Sequence, residues 1–274
     1  MAIKTILVLA DGGGGTAATL TTAVTMARRC SADLDVLHVR ADVETMVPVI
    51  GEGMSGAMVE QMMSAMQQTV VSRAAKAKAA FEQVCGVAGI PAVWRESTGR
   101  ETDIVANAGR LVDLIIIGKP DAETETPLAA TLDAALFDTG RPVLVAPTAA
   151  TAVGSRVAIA WNGSAQAARV VAAAKPILVL ADQVTVVTVG EIGRSASAAE
   201  LVAYLAKHNV RAVHEALTPD QATTGATLLA YAGRTQTDLL VMGAYGHSRL
   251  REMILGGATR DVLAAATLSV LMAH

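Results

Sequence analysis

Asp113-Leu114-Ile115-Ile116-Ile117-Gly118 recurs in the second half of the chain as Asp238-Leu239-Leu240-Val241-Met242-Gly243. Each is a short aliphatic run between an acid and a glycine, the pattern of a strand buried on both faces. The likeness continues outward from this pair. Arg141-Pro142-Val143-Leu144-Val145 parallels Leu268-Ser269-Val270-Leu271-Met272, and Asp11-Gly12 parallels Asn162-Gly163. Residues 147–155, small and punctuated by proline and glycine, read as a linker. The chain is therefore a tandem duplication, with domains expected at residues 1–148 and 155–274.

Each half alternates strand and helix patterns. In the first, strands are expected at 4–10, 35–39, 92–96, 114–117 and 143–146, with helices at 16–29, 55–87, 102–109 and 128–137. In the second, strands fall at 156–161, 184–189, 211–214, 239–242 and 270–272, with helices at 165–180, 196–208, 223–234 and 257–266. Such alternation implies right-handed crossovers and a parallel sheet. The expected architecture is α/β: two tandem open, Rossmann-like domains, each a mainly parallel five-stranded sheet flanked by helices.

Composition agrees. Of 274 residues, 52% are hydrophobic and 17% charged, which excludes a disordered chain. Only 3% are aromatic, so the core must be built from aliphatic side chains. A mean hydropathy of +0.44 raises the membrane question. No uncharged apolar run of about 18 residues exists, and the best stretch, 170–181, is broken by Lys175 and Pro176. The apolar run at 6–10 is too short for a signal peptide. A soluble, cytoplasmic protein without a membrane partner is expected. A net charge of −3 with no basic cluster argues against nucleic acid. Cys30 and Cys85 read as buried free thiols, and no Cys/His pair has metal-ligand spacing.

Open parallel sheets bind ligands beyond the carboxyl ends of their strands, where strand order reverses. After the fourth strand of the second half come Gly243-Ala244-Tyr245-Gly246, nine further residues, then Gly256-Gly257-Ala258-Thr259 opening a helix. A strand-end glycine allows close backbone approach, and a glycine pair at a helix start exposes N–H groups at the positive end of the dipole. Thr259 adds a hydroxyl, and His247, Arg249 and Arg251 add positive or titratable charge. These residues point to an anion site. The run Gly12 to Gly15 does not complete a Gly-x-Gly-x-x-Gly pattern and reads as a flexible turn.

The Gly243-x2-Gly246-x9-Gly256 spacing, with Gly-His-Ser-Arg-Leu-Arg at 246–251, resembles the universal stress protein family. Nucleotide-binding members of that family carry Gly-x2-Gly-x9-Gly-(Ser/Thr) after the fourth strand. The resemblance spans nearly the whole chain and implies the adenine nucleotide alpha hydrolase-like fold. It also implies an adenine nucleotide, ATP or AMP, with magnesium as its companion ion. Gly257 stands where the family has Ser or Thr, and Thr259 matches a second hydroxyl position. By position, the family's acid at the end of the first strand falls on Asn162, beside Trp161. The residue reading adenine through its backbone falls on Val189, and Met242, beside Gly243, would pack against the nucleotide. The family's pairing of fifth strands would set 143–146 against 270–272, joining the two domains within the chain or, alternatively, two chains in a homodimer.

The first half departs in the opposite direction. Asp11 keeps the acid, but Gly118 is followed by Lys119-Pro120-Asp121-Ala122-Glu123-Thr124-Glu125, and Ala129 and Ala130 replace the glycine pair. Three carboxylates there would repel a triphosphate. The methionines at 54, 58, 62 and 66 form a helical stripe that reads as core or interface packing. No role is assigned to His38, His208, His214 or His274.

Two readings of function stand beside each other. One is a regulatory adenine-nucleotide-binding protein of the stress response. The other is an interaction module of the same fold that no longer binds nucleotide, favoured by Gly257, Asn162 and the degenerate first half. A dedicated ATP-consuming enzyme is not expected, because phosphoryl transfer needs a metal-holding acid and charge clamps and no Gly-x4-Gly-Lys-(Ser/Thr) loop is present.

Overall fold

The computed structural model describes residues 2–42, 56–119, 125–190, 196–219, 223–244 and 257–274, with side chains throughout except at 125–128. The first half runs β1 (Thr5–Leu9), α1 (Thr16–Cys30), β2 (Asp33–Arg40), α2 (Gly56–Val84), β3 (Ala92–Thr98), α3 (Glu101–Gly109), β4 (Leu114–Gly118), α4 (Glu125–Asp138) and β5 (Val143–Ala146). The second repeats that order: β6 (Arg156–Ala160), α5 (Ala165–Leu178), β7 (Gln183–Val189), α6 (Ala198–Ala206), β8 (Ala212–Leu217), α7 (Thr224–Thr235), β9 (Leu239–Gly243), α8 (Ala258–Ala265) and β10 (Ser269–Ala273). Every expected strand and helix is present, with small differences at the ends.

The expectation of two separate five-stranded sheets is corrected. The strands form one ten-stranded sheet in the order β3-β2-β1-β4-β5-β10-β9-β6-β7-β8. The join is an antiparallel pairing of β5 and β10, with Val143 opposite Met272, Leu144 opposite Leu271 and Val145 opposite Val270. All other pairings are parallel. The physical reason is the edge: β5 and β10 are aliphatic strands, and each would otherwise leave a row of backbone donors and acceptors unpaired.

Alternation along the strands divides the core between two faces. On one face Ile6, Val8, Val157 and Ile159 pack with α1 and α5, and Ala77 of α2 and Leu201 of α6 join them. On the other, Leu7, Leu9, Ala158 and Leu240 pack with α3, α4, α7 and α8 through residues such as Val105, Leu136, Leu228 and Val262. Both layers cross the seam, with Leu144 and Leu271 in one and Val143, Val145, Val270 and Met272 in the other.

The repeated acids have a common structural task. Asp113 Oδ2 accepts the backbone N–H groups of Lys4 and Thr5, at 2.8 and 3.0 Å. Asp238 Oδ1 likewise accepts those of Gly154, Ser155 and Arg156, at 2.9, 3.1 and 3.1 Å. Each acid thereby fixes the start of the central strand of its half. Burial pushes the Asp113 carboxyl up, but these N–H groups and the Thr5 hydroxyl outweigh burial and hold it below its usual value.

The methionine stripe is not core. In α2 only Ala74 and Ala77 are buried, whereas Met58 and Met62 are 55% and 40% exposed. Met54 lies outside the described residues. A period of four there marks a surface rather than a buried face.

Candidate functional site

Each half has a switch point, between β1 and β4 in the first and between β6 and β9 in the second. In the second half α8 begins at Gly257, whose backbone is extended (φ −78°, ψ 156°) and supplies no side-chain cap. By contrast α5, α6 and α7 are capped by Ser164, Ser197 and Thr223. The first-turn N–H groups of α8, around Ala258 and Thr259, thus receive no capping oxygen from Gly257. Thr259 is buried, and α7 closes against this turn at Gly225, where a Cβ would stand 2.7 Å from that of Asp261. Gly246, His247, Arg249 and Gly256 lie outside the described residues.

Gly243 has a different job from the one its motif suggests. A Cβ there would lie 2.7 Å from the Ala167 backbone nitrogen and 2.9 Å from Gln166. The missing side chain admits the first turn of α5 rather than a ligand. Gly118 repeats this in the first half, where a Cβ would meet Thr19 Oγ1 at 2.7 Å. The remaining expected contacts do not converge on one surface. Met242 is buried in the α7–α8 layer, while Trp161 is buried in the opposite layer and donates its indole N–H to the Ala196 carbonyl at 2.9 Å. Val189 is half-buried at the end of β7.

Asp11 and Asn162 are equivalent in geometry. The Asp11 Oδ1 accepts from Gly13 N–H at 3.1 Å, and the Asn162 Oδ1 accepts from Ser164 N–H at 3.1 Å. Gly12 and Gly163 follow with φ +76° and +72°. Both side chains therefore close the turn after the first strand of their half, which either an acid or an amide can do. Asp11 also accepts the Thr16 hydroxyl at 2.6 Å.

Beyond the carboxyl ends of β1 and β2 lies a cavity of about 450 Å3, which the sequence reading missed. Asp11, His38 and Arg40 line its floor, Met66 to Arg73 of α2 form one wall, and Arg100, Glu101 and Thr131 form the other. Glu101 accepts the Thr131 hydroxyl at 2.7 Å. Burial pushes the Glu101 carboxyl up; Thr131 opposes this, Asp11 adds to it, and Arg73 opposes it. The His38 ring is buried, with Nδ1 2.6 Å from the Ala10 carbonyl. A usable signal was present: positions 66, 69, 70 and 73 share one helix face. Lys119 does not enter this cavity. Its ammonium crosses to the second half and donates to the carbonyls of Ala264 and Ala266, at 2.8 and 3.0 Å, at the end of α8. Asp121 and Glu123 lie outside the described residues, and only the backbone of Glu125 is described.

Among the described residues no cluster of three His, Cys, Asp or Glu side chains could hold a metal ion. No helix among them is long and apolar enough to cross a membrane.

Comparison with known proteins agrees with this architecture. Residues 155–274 match the model of the Universal stress protein family. The chain is 26% identical over 291 aligned positions to Universal stress protein Slr1230 of Synechocystis sp., covering 98% of this chain and 99% of that one. Among solved structures, a universal stress protein from Archaeoglobus fulgidus superposes with a TM-score of 0.69 at 17% identity, over 98% of this chain and 95% of the other. A functionally unknown protein from Pseudomonas aeruginosa superposes with a TM-score of 0.56 at 15% identity, over 99% and 92%. These two likenesses are likenesses of fold.

Proposed function

We propose that this chain, whose residues 155–274 match the universal stress protein family, binds an adenine nucleotide, ATP or AMP, in its second half as a regulatory signal in the stress response. Members of the family are typically regulatory rather than catalytic. The observation that carries the proposal is the amino end of α8. It starts on a glycine without a side-chain cap while its neighbours in the same half are all capped. Phosphate oxygens are the natural partners of such N–H groups. Magnesium belongs to this reading only as a companion of the phosphates. Residues 1–148 and 155–274 act as two domains in it, one with an altered loop and one with the phosphate loop.

The competing reading, an interaction module without nucleotide, draws on the exposed Met58 and Met62 of α2, since methionine surfaces adapt to varied partners. Equilibrium binding of labelled ATP and AMP separates the two. The proposal expects saturable binding, lost in Gly246→Val and Gly256→Val with the fold intact by circular dichroism. A folded sample without saturable binding at millimolar nucleotide overturns it.

A further inference from the structure

We propose that the second half carries a site for a small, uncharged and largely apolar molecule in the cavity between α5 and α6, on the face of the sheet opposite α7 and α8. This inference does not rest on nucleotide binding.

The two halves differ at this place. In the first, α2 closes directly against α1. In the second, α5 and α6 stand apart around a space of about 410 Å3, within the range of roughly 300–1,000 Å3 typical of small-molecule sites. The side chains account for the gap. From α5 only Ala168 and Val171 reach it, and α6, nine residues long against the 29 of α2, brings Leu201 and Tyr204. Trp161 forms a further side. One turn of an α-helix, about 5.4 Å long and 10–12 Å across, fills roughly 500 Å3, more than the cavity holds, so its occupant is a small molecule rather than a helix. The walls are already fixed. The Trp161 indole N–H donates to the Ala196 carbonyl at 2.9 Å. Tyr204 stands edge-on to His208 with ring centres 4.7 Å apart, and its hydroxyl accepts from the Lys175 ammonium at 3.2 Å. Ser197 and Glu200 form a capping box that holds the start of α6. A lining ordered in advance loses little freedom on binding.

The charges then decide against an ion of either sign. Glu200 is the one carboxylate in the lining. The Ser197 backbone N–H and hydroxyl hold it below its usual value, so it stays negative and repels an anion. A cation would seek the aromatic faces, but the Lys175 ammonium already lies 5.6 Å from the centre of the Tyr204 ring. His208, on the edge of that ring, can only add positive charge. The remaining side chains, Ala168, Val171 and Leu201, have no polar atom. What the cavity rewards is apolar surface removed from water.

The test uses N-phenyl-1-naphthylamine, an uncharged apolar fluorophore whose emission rises on burial. The full chain should bind one equivalent saturably. Ala168→Trp, at an exposed position of α5, should fill the cavity and weaken binding at least about tenfold, the loss expected when about two methylene-sized groups of the probe stay in water. Glu200→Gln keeps the helix cap and should change the affinity less than about twofold, because no ion pair is involved. An equal concentration of 1-anilinonaphthalene-8-sulfonate, which adds a sulfonate to the same skeleton, should not displace the probe. Val70→Trp, which fills the first-half cavity, and Gly256→Val should both bind like the parent. Circular dichroism identifies any variant that fails to fold; if Ala168→Trp does, Tyr204→Ala, which removes a wall, should show the same loss. No saturable binding, parental binding by folded Ala168→Trp or Tyr204→Ala, a tenfold loss in Glu200→Gln or Val70→Trp, or displacement by the sulfonate overturns the proposal.

Discussion

Replacing Leu144 by alanine should weaken both halves of the molecule at once. Leu144 faces Leu271 across the β5–β10 seam, and the two side chains are 0% and 1% exposed. Both lie in the layer that packs α1 and α5 on the sheet. Truncating a buried leucine costs about 2–5 kcal/mol, from lost burial and the space left behind. An m value of ~3 kcal/mol per molar urea is reasonable for a chain of this size, so the midpoint should fall by roughly 0.7–1.7 M. The chain holds two tryptophans, Trp94 in β3 and Trp161 just after β6. Trp94→Phe and Trp161→Phe backgrounds therefore give one fluorescence reporter per half. With a continuous sheet, both reporters should show coincident transitions, and Leu144→Ala should move both by the same amount. A shift seen by one reporter alone, or a drop below about 0.2 M in both, would refute the seam as the element joining the halves.

Further expectations follow from single contacts. The depressed Asp113 carboxyl contributes stability that is present above its unfolded pKa, near 4, and is lost as pH falls through its lower folded value. Urea midpoints should therefore separate the parent from Asp113→Asn at pH 7 and converge on acidification; a gap independent of pH would contradict this. Lys119→Met should cost about 1–2 kcal/mol and speed amide exchange in α8, because the last carbonyls of that helix lose their cation; unchanged exchange would show the contact to be idle. Burial pushes the Cys85 thiol up to about 11, so iodoacetamide at pH 8 should label it only after denaturant is added. Gly243→Ala should lower the melting temperature through its clash with α5, whether or not nucleotide is present.

The strands were legible because an aliphatic run flanked by an acid and a glycine has few other uses. Asp113 and Asp238 even do the same work in both halves. Which edge meets which was not written in the residues, since strand-forming side chains do not encode a partner; the β5–β10 pairing came only through resemblance. The site was harder. A glycine at a strand end reads the same whether it clears room for a ligand or for a helix, and Gly243 turned out to serve α5. Spacing of four could not tell a buried methionine stripe from an exposed one, because it does not say what the helix packs against. Arg40, Arg73 and Arg100 meet around one cavity from a strand end, a helix and the residue before another helix, and no local pattern joins them.

The antiparallel seam has a further consequence. When two like modules associate from separate chains, their pairing is diluted by concentration and any lineage change appears on both sides. Here each module always finds the unlike one, at the effective concentration set by a short tether. A substitution in one module is therefore never mirrored across the junction, and the two can specialise while their packing continues to hold them together. Lys119 is such a residue: its counterpart in the second half is Ala244, and it serves a helix that its own module does not contain.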